Sequence, residues 1–414
     1  MYKKISKCRI CGSRDLELAI DLGIQKLTGV FPKHRNDKLT KGPLRLVKCS
    51  GKNKTCGLLQ LEHSYDISEM YGENYGYRSG LNASMVAHLQ NKVSDIESRV
   101  QLSSGDLIID IGSNDCTTLK AYNYSVDLVL VGVDPTGIKF KEFYPSHVKL
   151  IPDFFNADLI TSEFPNKRAK VITSFSMFYD LESPLDFMKE VHSVLADDGV
   201  WIFEQSYLPF MLNTNSFDTI CHEHIEFYSM KQIQWMCDEV GFKIVDVEFN
   251  EINGGSFSVM VSKKESPLDP SDNVRLAFEK EIGFDLDSIR TYLNFSKRID
   301  KLRNEMHDFI KKIKSENKTI SAIGASTKGN VLLQYYGLDS EILDYIGEVN
   351  ELKFNCFTPG SLISIISEEK VLDRNPDYLL ILPWHFRTFF LNNKKFKGYK
   401  LVFPLPALEI VDNV

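Results

Sequence analysis

Two histidines flank a carboxylate in Cys221-His222-Glu223-His224-Ile225-Glu226-Phe227-Tyr228-Ser229. Imidazole changes charge near neutral pH, so this run suits general acid–base catalysis, with a polar structural cluster as the alternative. It is not the metalloprotease H-E-x-x-H pattern, because histidines two apart diverge on a helix. Asp218 and Thr219, just upstream, are placed to position the loop. Far earlier, the segment from Met70 to Gly80 mixes three glycines with Tyr71, Tyr75 and Tyr77. That composition gives a loop able to aim hydroxyls at a ligand, or simply a packing loop.

A different chemistry is written in the cysteines. Cys8-Arg9-Ile10-Cys11 is a C-x2-C knuckle, and Cys49 with Cys56 forms a looser C-x6-C pair, each second cysteine being followed by Gly. Four thiolates suit tetrahedral zinc, and a closed four-sulfur site is structural, with no open position for catalysis. His63 is superfluous as a ligand and is expected on the surface.

The elements that must position these groups start with two buried strands. Leu107-Ile108-Ile109-Asp110-Ile111 runs into Gly112-Ser113-Asn114-Asp115, and Leu128 to Val133 ends at Asp134. Ligands in a doubly wound sheet sit beyond such strand ends. The first loop has one Gly where the dinucleotide fingerprint wants three, which disfavours a tightly gripped pyrophosphate. Acids around a single Gly suit a phosphate-free ligand with a positive centre, so S-adenosylmethionine fits better than NAD. Asp134 is placed for the ribose hydroxyls, unless it merely caps a helix. Asp110, Gly112, Asn114 and Asp115 join it as cofactor contacts. His147 to Ile151 gives a third strand leading to Asp153 and Phe154, a pair suited to an adenine. Ala169 to Phe175 is the fourth strand, with Ser174 near its end as a further cofactor contact, and Gly199 to Gln205 is the fifth. Leu81 to Val100 and Pro184 to Leu195 read as amphipathic helices. The alternation is that of a Rossmann-like methyltransferase domain, with Gly254 to Val261 as a late antiparallel strand at its edge.

Composition narrows the class. The chain has 414 residues, enough for two or three domains, and 43% hydrophobic content supports real cores. A net charge of −7 argues against nucleic-acid and membrane-surface partners. No apolar stretch follows the first lysines, no run reaches the length of a membrane span, and a cytoplasmic protein is expected. Its eight cysteines then read as thiols or metal ligands rather than disulfides.

Beyond a linker near Glu265 to Asp272, a long charged helix is expected from about Val274 to Lys314. Thr319 to Gly329 then reads as strand, Gly-containing turn and helix start. Gly329 is followed by Asn330, so this is no P-loop. Ser326, Thr327, Lys328 and Asn330 at a helix N-terminus could hold a substrate diphosphate, or form a purely structural turn. Glu348, Asn350 and His385 lie at later strand ends, within reach of the same ligand.

The zinc knuckles, the Asp110 loop, the Cys-His-Glu-His run and Gly324-Ala325-Ser326-Thr327-Lys328-Gly329-Asn330 occur in the order found in the sugar C-methyltransferases of deoxysugar pathways, and the chain resembles that family over nearly its whole length. The resemblance implies a zinc-binding lobe, placed here at 1–75, an S-adenosylmethionine domain at 76–264 and a C-terminal Rossmann-like substrate domain at 265–414. It implies a nucleotide-linked 4-keto-6-deoxyhexose, methylated beside the ketone, with His224 as base, Glu223 in support and Tyr75 or Tyr77 contributing. His222 is a further candidate base. Three positions depart from the family pattern: Cys221 where some members have Tyr, Cys116 where Gly often follows, and no extra histidine within Ser176 to Asp180. The expected chemistry is removal of an acidic C–H to give an enolate, which takes the methyl group in a water-excluded site. A monomer or small homo-oligomer is expected. O- or N-methylation, or a non-catalytic nucleotide-sugar-binding protein, are the competing readings.

Overall fold

Alternating apolar residues build a small antiparallel sheet at the N-terminus, from β1 (Leu16–Lys26), β2 (Lys41–Cys49) and β3 (Leu59–Leu61). Its other edge is taken by Glu226–Phe227, which pairs with β3 from far along the chain. The computed structural model describes residues 2–50, 55–70, 77–123 and 126–413.

The central sheet uses the expected short strands: β4 (Leu107–Ile111), β5 (Val129–Val133), β6 (Val148–Ile151), β7 (Ala169–Phe175) and β8 (Leu195–Ser206). Two later strands complete it, β9 (Phe242–Asn250) and β10 (Ser256–Lys263). Among the described residues the order is β9-β10-β8-β7-β4-β5-β6, and β10 runs antiparallel to both its neighbours. The chain winds outward from β4 through β5 to β6, then crosses to β7. This leaves a topological switch point beside β4, where the sheet opens a crevice for a ligand. Helix α1 (Ala83–Arg99) is capped by Asn82, whose side chain accepts from Ser84 N, a contact of about 1 kcal/mol. It buries Val93 and Ile96 in one core with Ile108 and Ile202 of the sheet.

Three expectations about elements are corrected. The antiparallel strand near residue 254 is not at the edge: β9 takes the edge, launched where Gly241 ends a helix at φ +95°. The fifth strand begins at Leu195 rather than Gly199: the helix α2 (Pro184–Val194) ends where expected, with Leu195 as its cap, and Asp197, Asp198 and Gly199 already belong to β8 through an irregular register. The long charged helix is two, α3 (Asp272–Ile282) and α4 (Ile289–Ser315), broken at Gly283 and at Asp285, whose φ is +48°. Helix α3 contributes Ala277 to the central core.

Helix α5 (Thr327–Tyr336) follows β11 (Ile320–Ile323) in the C-terminal sheet, which continues with β12 (Ile346–Glu348), β13 (Ile365–Ser367), β14 (Tyr378–Ile381), β15 (Lys400–Phe403) and β16 (Glu409–Asp412). Its order is β13-β12-β11-β14-β15-β16, parallel except for the last pair, so β11 and β14 flank a second switch point. The N-terminal lobe joins both larger units. Leu44 and Leu46 share a core with Tyr292 and Leu332, whereas Cys8, Cys49 and Cys56 share one with Trp201 and Tyr228.

Candidate active site and zinc centre

The Cys221 to Ser229 segment, the candidate for acid–base chemistry, is stitched down on both sides. Ile225 donates to the carbonyl of Tyr179 at 3.0 Å, and Leu61 donates to the carbonyl of Ile225 at 2.8 Å. His224 is thereby fixed beside Tyr179, with ring centroids 4.3 Å apart. Its Nδ1 lies 2.9 Å from the carbonyl of Thr219. A carbonyl can only accept, so Nδ1 carries the hydrogen and Nε2 keeps a lone pair. Burial, then the nearby Lys328 ammonium, push the ring's pKa down to about 4. At neutral pH it is an uncharged proton acceptor.

Glu223 faces the N-terminal lobe. A Cβ added at Gly29 would fall 2.2 Å from Glu223 Oε1 and 3.5 Å from Thr327 Oγ1. One glycine therefore makes room where the lobe, the catalytic segment and α5 meet. Burial raises the Glu223 carboxyl, and Oε2 has no hydrogen-bond partner among the described residues. His222 is fully buried, edge-on to Tyr65 at 4.6 Å, with neither ring nitrogen hydrogen-bonded among the described residues, and burial holds its pKa down at about 3. It packs the core. Cys221 is also fully buried, its thiol pushed up by burial and then by Glu223. Tyr75 lies outside the described residues. Tyr77 is 47% exposed, and its carbonyl accepts from Asn114 Nδ2.

From the C-terminal unit, Ser326 caps α5, its Oγ accepting from Gly329 N. Lys328 reaches out and donates to the carbonyl of Asn253 in the turn between β9 and β10. Trp384, beyond β14, donates its indole hydrogen to Asp218 Oδ2 at 2.9 Å. Neighbouring His385 is held down at about 3 by burial and by Lys328. Asn330 is corrected: it is 1% exposed, and its amide donates to the carbonyl of Thr28, tying α5 to the lobe. Glu348 braces the glycine turn, accepting from Ala325 N at 2.9 Å and from the amides of Val349 and Asn350. Asn350 caps a short turn by accepting from Leu352 N.

At the central switch point Gly112, Asn114 and Cys116 all adopt positive φ, making a tight loop beyond β4. Asp110 is buried, accepts from Thr173 Oγ1 at 2.6 Å, and has its pKa raised to about 7 by burial. Asp134 accepts from Thr136 N and Oγ1 with Oδ1 and from Asn114 N with Oδ2. It is thus a cap, and Oδ2 retains a lone pair for a hydroxyl. Asn114 and Asp115 turn toward the tyrosine segment. Asn114 Oδ1 accepts from Ser79 N, and Asp115 Oδ2 accepts from Arg78 Nε and Gly80 N, each at 3.0 Å. Asp153 accepts from Phe154 N, and the Phe154 ring is 58% exposed. Ser174 is corrected. Alternation turns it away from Thr173 and into the core, where its hydroxyl accepts from the Trp201 indole. The loop geometry and the paired acids fit S-adenosylmethionine.

Sequence reasoning missed Gly29, although a lone Gly in Leu27-Thr28-Gly29-Val30-Phe31 signals a close approach. It also missed Glu204, which ends the apolar run of β8 much as Asp110 ends that of β4. Glu204 receives His88 of α1 at 2.7 Å and Asn250 at 2.8 Å, and pairs with Lys92 at 3.5 Å. These contacts hold α1 over the sheet.

The four cysteine sulfurs lie within 4.8 Å of one another. Cys8 and Cys56, like Cys11 and Cys49, approach to 3.5 Å, close to the spacing of sulfurs sharing one tetrahedral zinc. Gly12 and Gly57 follow their cysteines at φ +68° and +72°, conformations a side chain would resist. His63 is outside this cluster and, contrary to expectation, is buried, edge-on to Tyr2.

Three family models match the chain in succession: a zinc binding domain over residues 8–71, a methyltransferase domain over 85–247 and a C-methyltransferase C-terminal domain over 251–406. The chain is 27% identical over 420 residues to the C-methyltransferase NovU of Streptomyces niveus, covering 99% of this chain and 98% of that protein. Among solved structures it is similar to the CurJ carbon methyltransferase, at 12% identity and TM-score 0.33, over 48% of this chain and 58% of that one. An O-methyltransferase family protein from Burkholderia thailandensis is similar at 14% identity and TM-score 0.35, over 49% and 64%. What the sheet, the loop and the cysteines define is an S-adenosylmethionine-dependent methyltransferase with a structural zinc. The three matches, taken in chain order, are those of a C-methyltransferase that carries an N-terminal zinc-binding domain. Among the described residues no helix is long and apolar enough to cross a membrane.

Proposed function

We propose that the enzyme methylates a nucleotide-linked 4-keto-6-deoxysugar at the carbon beside its ketone, with His224 as the base. The observation that carries this reading is the tautomer of His224: Thr219 holds Nδ1–H, so a neutral Nε2 waits at the junction of the three units. A C–H beside a ketone is acidic because its charge spreads onto oxygen, and a positioned imidazole can take that proton. Asp134, Asp110 and the Gly112 loop would hold S-adenosylmethionine, whose sulfonium supplies an electrophilic methyl group. Asn114 and Asp115 act on it indirectly, by closing the Tyr77 to Gly80 segment over the loop. Tyr77 comes from that segment, with Tyr75, outside the described residues, as the other candidate tyrosine; Asp153 and Phe154 flank the adenine end, and Glu223 orients the substrate. The glycine turn of Ser326 and Thr327, braced by Glu348, takes the nucleotide diphosphate, with Asn350 beside it as a further contact. Reactions in the cytoplasm of a deoxysugar-producing cell would supply that substrate.

The test is a panel of nucleotide 4-keto sugars with labelled S-adenosylmethionine, read by mass spectrometry and NMR. A new carbon–methyl bond beside the ketone is expected. His224→Asn should bind both ligands and lose methyl transfer together with exchange of the α-hydrogen in deuterated water. Exchange at the wild-type rate in that variant, or no keto sugar accepted by the wild type, would overturn the reading.

A further inference from the structure

Lys328 looks from its sequence context like a phosphate ligand, but the fold sends it elsewhere. It is the second residue of α5, where a cation faces the positive end of the helix dipole, so helix stability does not account for it. Its ammonium leaves its own glycine turn and crosses to the central unit, where the Asn253 carbonyl accepts from it. That turn is itself anchored to the end of β7, since Asn253 Nδ2 donates to Ser176 Oγ. Tyr179, three residues further on, packs its ring against His224 at a tilt of 59°. On the other side, Thr327 and Glu223 share the space beside Gly29. Lys328 is thus bracketed by the two elements that hold the base. An ammonium has three hydrogens, and the hydrogen bond to Asn253 is its only one among the described residues.

We infer that Lys328 is a catalytic residue whose ammonium binds the ketone oxygen and stabilises the enolate, rather than a ligand of the diphosphate. The inference rests on the function proposed above. As His224 Nε2 takes the α-hydrogen as a proton, the C–H electron pair shifts toward the carbonyl carbon and the carbonyl π pair moves onto oxygen. That negative charge forms next to a cation already stripped of much of its water. The enolate carbon then bonds to the methyl group as the methyl–sulfur bond breaks, and the carbonyl reforms; S-adenosylhomocysteine leaves uncharged at sulfur. Electrostatics agree with the placement. Burial lowers the Lys328 ammonium, Asp218 and then Cys221 oppose that shift, and Lys328 in turn lowers both His224 and His385. A positive charge at this place, which lowers the base's pKa and also faces the oxygen that gains charge, serves both halves of the step.

The experiment compares wild type, Lys328→Met and Lys328→Arg as zinc-loaded full-length proteins of matched melting temperature. Binding of thymidine diphosphate, uridine diphosphate and S-adenosylhomocysteine is measured by calorimetry. The α-hydrogen exchange of a saturating 4-keto sugar nucleotide is followed by NMR. Lys328→Met should bind the better diphosphate within about threefold of wild type yet lose exchange and methyl transfer by about 10²–10³-fold, the effect of deleting one oxyanion donor. Lys328→Arg should recover part of that loss. The His224 imidazole, titrated by NMR, should also become more basic in Lys328→Met, a change that diphosphate binding would not predict. Weakened diphosphate binding with exchange intact at saturation would overturn the inference and return Lys328 to the phosphates. Wild-type exchange, binding and His224 titration in Lys328→Met would overturn it as well. Failure of the proposed function is distinguishable, because then the wild type itself exchanges no keto sugar.

Discussion

Replacing Gly29 by Ala adds one methyl group to a place where the structure has no room for it. Gly29 is not at a positive φ, so the backbone itself tolerates Ala. The new Cβ would sit 2.2 Å from Glu223 Oε1, and an ordinary contact is 3.4 Å, so the carboxylate must retreat by about 1.2 Å (3.4 − 2.2). Thr327 Oγ1, at 3.5 Å from the same point, closes one line of retreat. Glu223 adjoins the proposed base on a segment pinned by Thr219, Tyr179 and Leu61, so the segment stays in place and the carboxylate, the end of a flexible side chain, swings out of the position from which it would orient the substrate. A misplacement of about 1 Å costs about 10²-fold in rate, whereas overpacking of one methyl costs about 1–3 kcal/mol of stability. The expected result is a fall of about 10²-fold in methyl transfer at saturating substrate. S-Adenosylhomocysteine affinity should stay unchanged, because that site lies beyond β4 and β5. Transfer rate by mass spectrometry, affinity by calorimetry and melting by scanning calorimetry separate these effects. Unaltered turnover in a folded Gly29→Ala protein would refute the claim that Glu223 must be held to within about 1 Å.

Metal analysis should find about one zinc per chain, and Cys8→Ser should lower zinc content and melting temperature together; a folded wild type free of metal would contradict this. Asp134→Ala should weaken S-adenosylmethionine binding by about 1–3 kcal/mol by calorimetry, and unchanged affinity would remove Asp134 from the site. The buried Glu226, which accepts from Tyr228, has its carboxyl raised to about 8 by burial. Above pH 6.5 the unfolded chain has already lost this proton while the folded chain keeps it, so its contribution to stability falls as pH rises. Relative to Glu226→Gln, denaturant unfolding of the wild type should lose about 2 kcal/mol between pH 6.5 and 8; a constant difference would show that Glu226 is ionised throughout.

The central sheet was legible because its strands are buried on both faces and read as unbroken apolar runs bounded by Gly or acid. Ala169–Phe175 was bounded to the residue for that reason. β9 was missed because Phe242–Asn250 carries Lys243, Asp246 and Glu248 along an edge, which blurs its apolar signal. The break at residues 283–288 was hidden by apolar residues that continue the helical spacing across it. The four cysteines were legible because ligand spacing is local. Lys328 and Asn330 were not, because which way a helix N-terminus faces depends on a neighbouring unit. His222 and His224 differ by two positions, yet one fills a core and the other faces Tyr179; only the path of the segment between Tyr65 and Tyr179 decides that.

The pairing of Glu226–Phe227 with β3 carries a lesson for anyone recombining these proteins. Chain order puts the proposed base in the middle of the methyltransferase domain, but hydrogen bonding puts the strand that follows it in the sheet of the zinc lobe. A chimera cut at the apparent domain border would graft a foreign lobe onto a native His224 and lose the register that aims it. An exchange that carries the lobe and residues 217–228 as one block keeps the aim intact. If His224 is the base, the inheritable unit is therefore discontinuous, two stretches of chain about 150 residues apart that have to travel together.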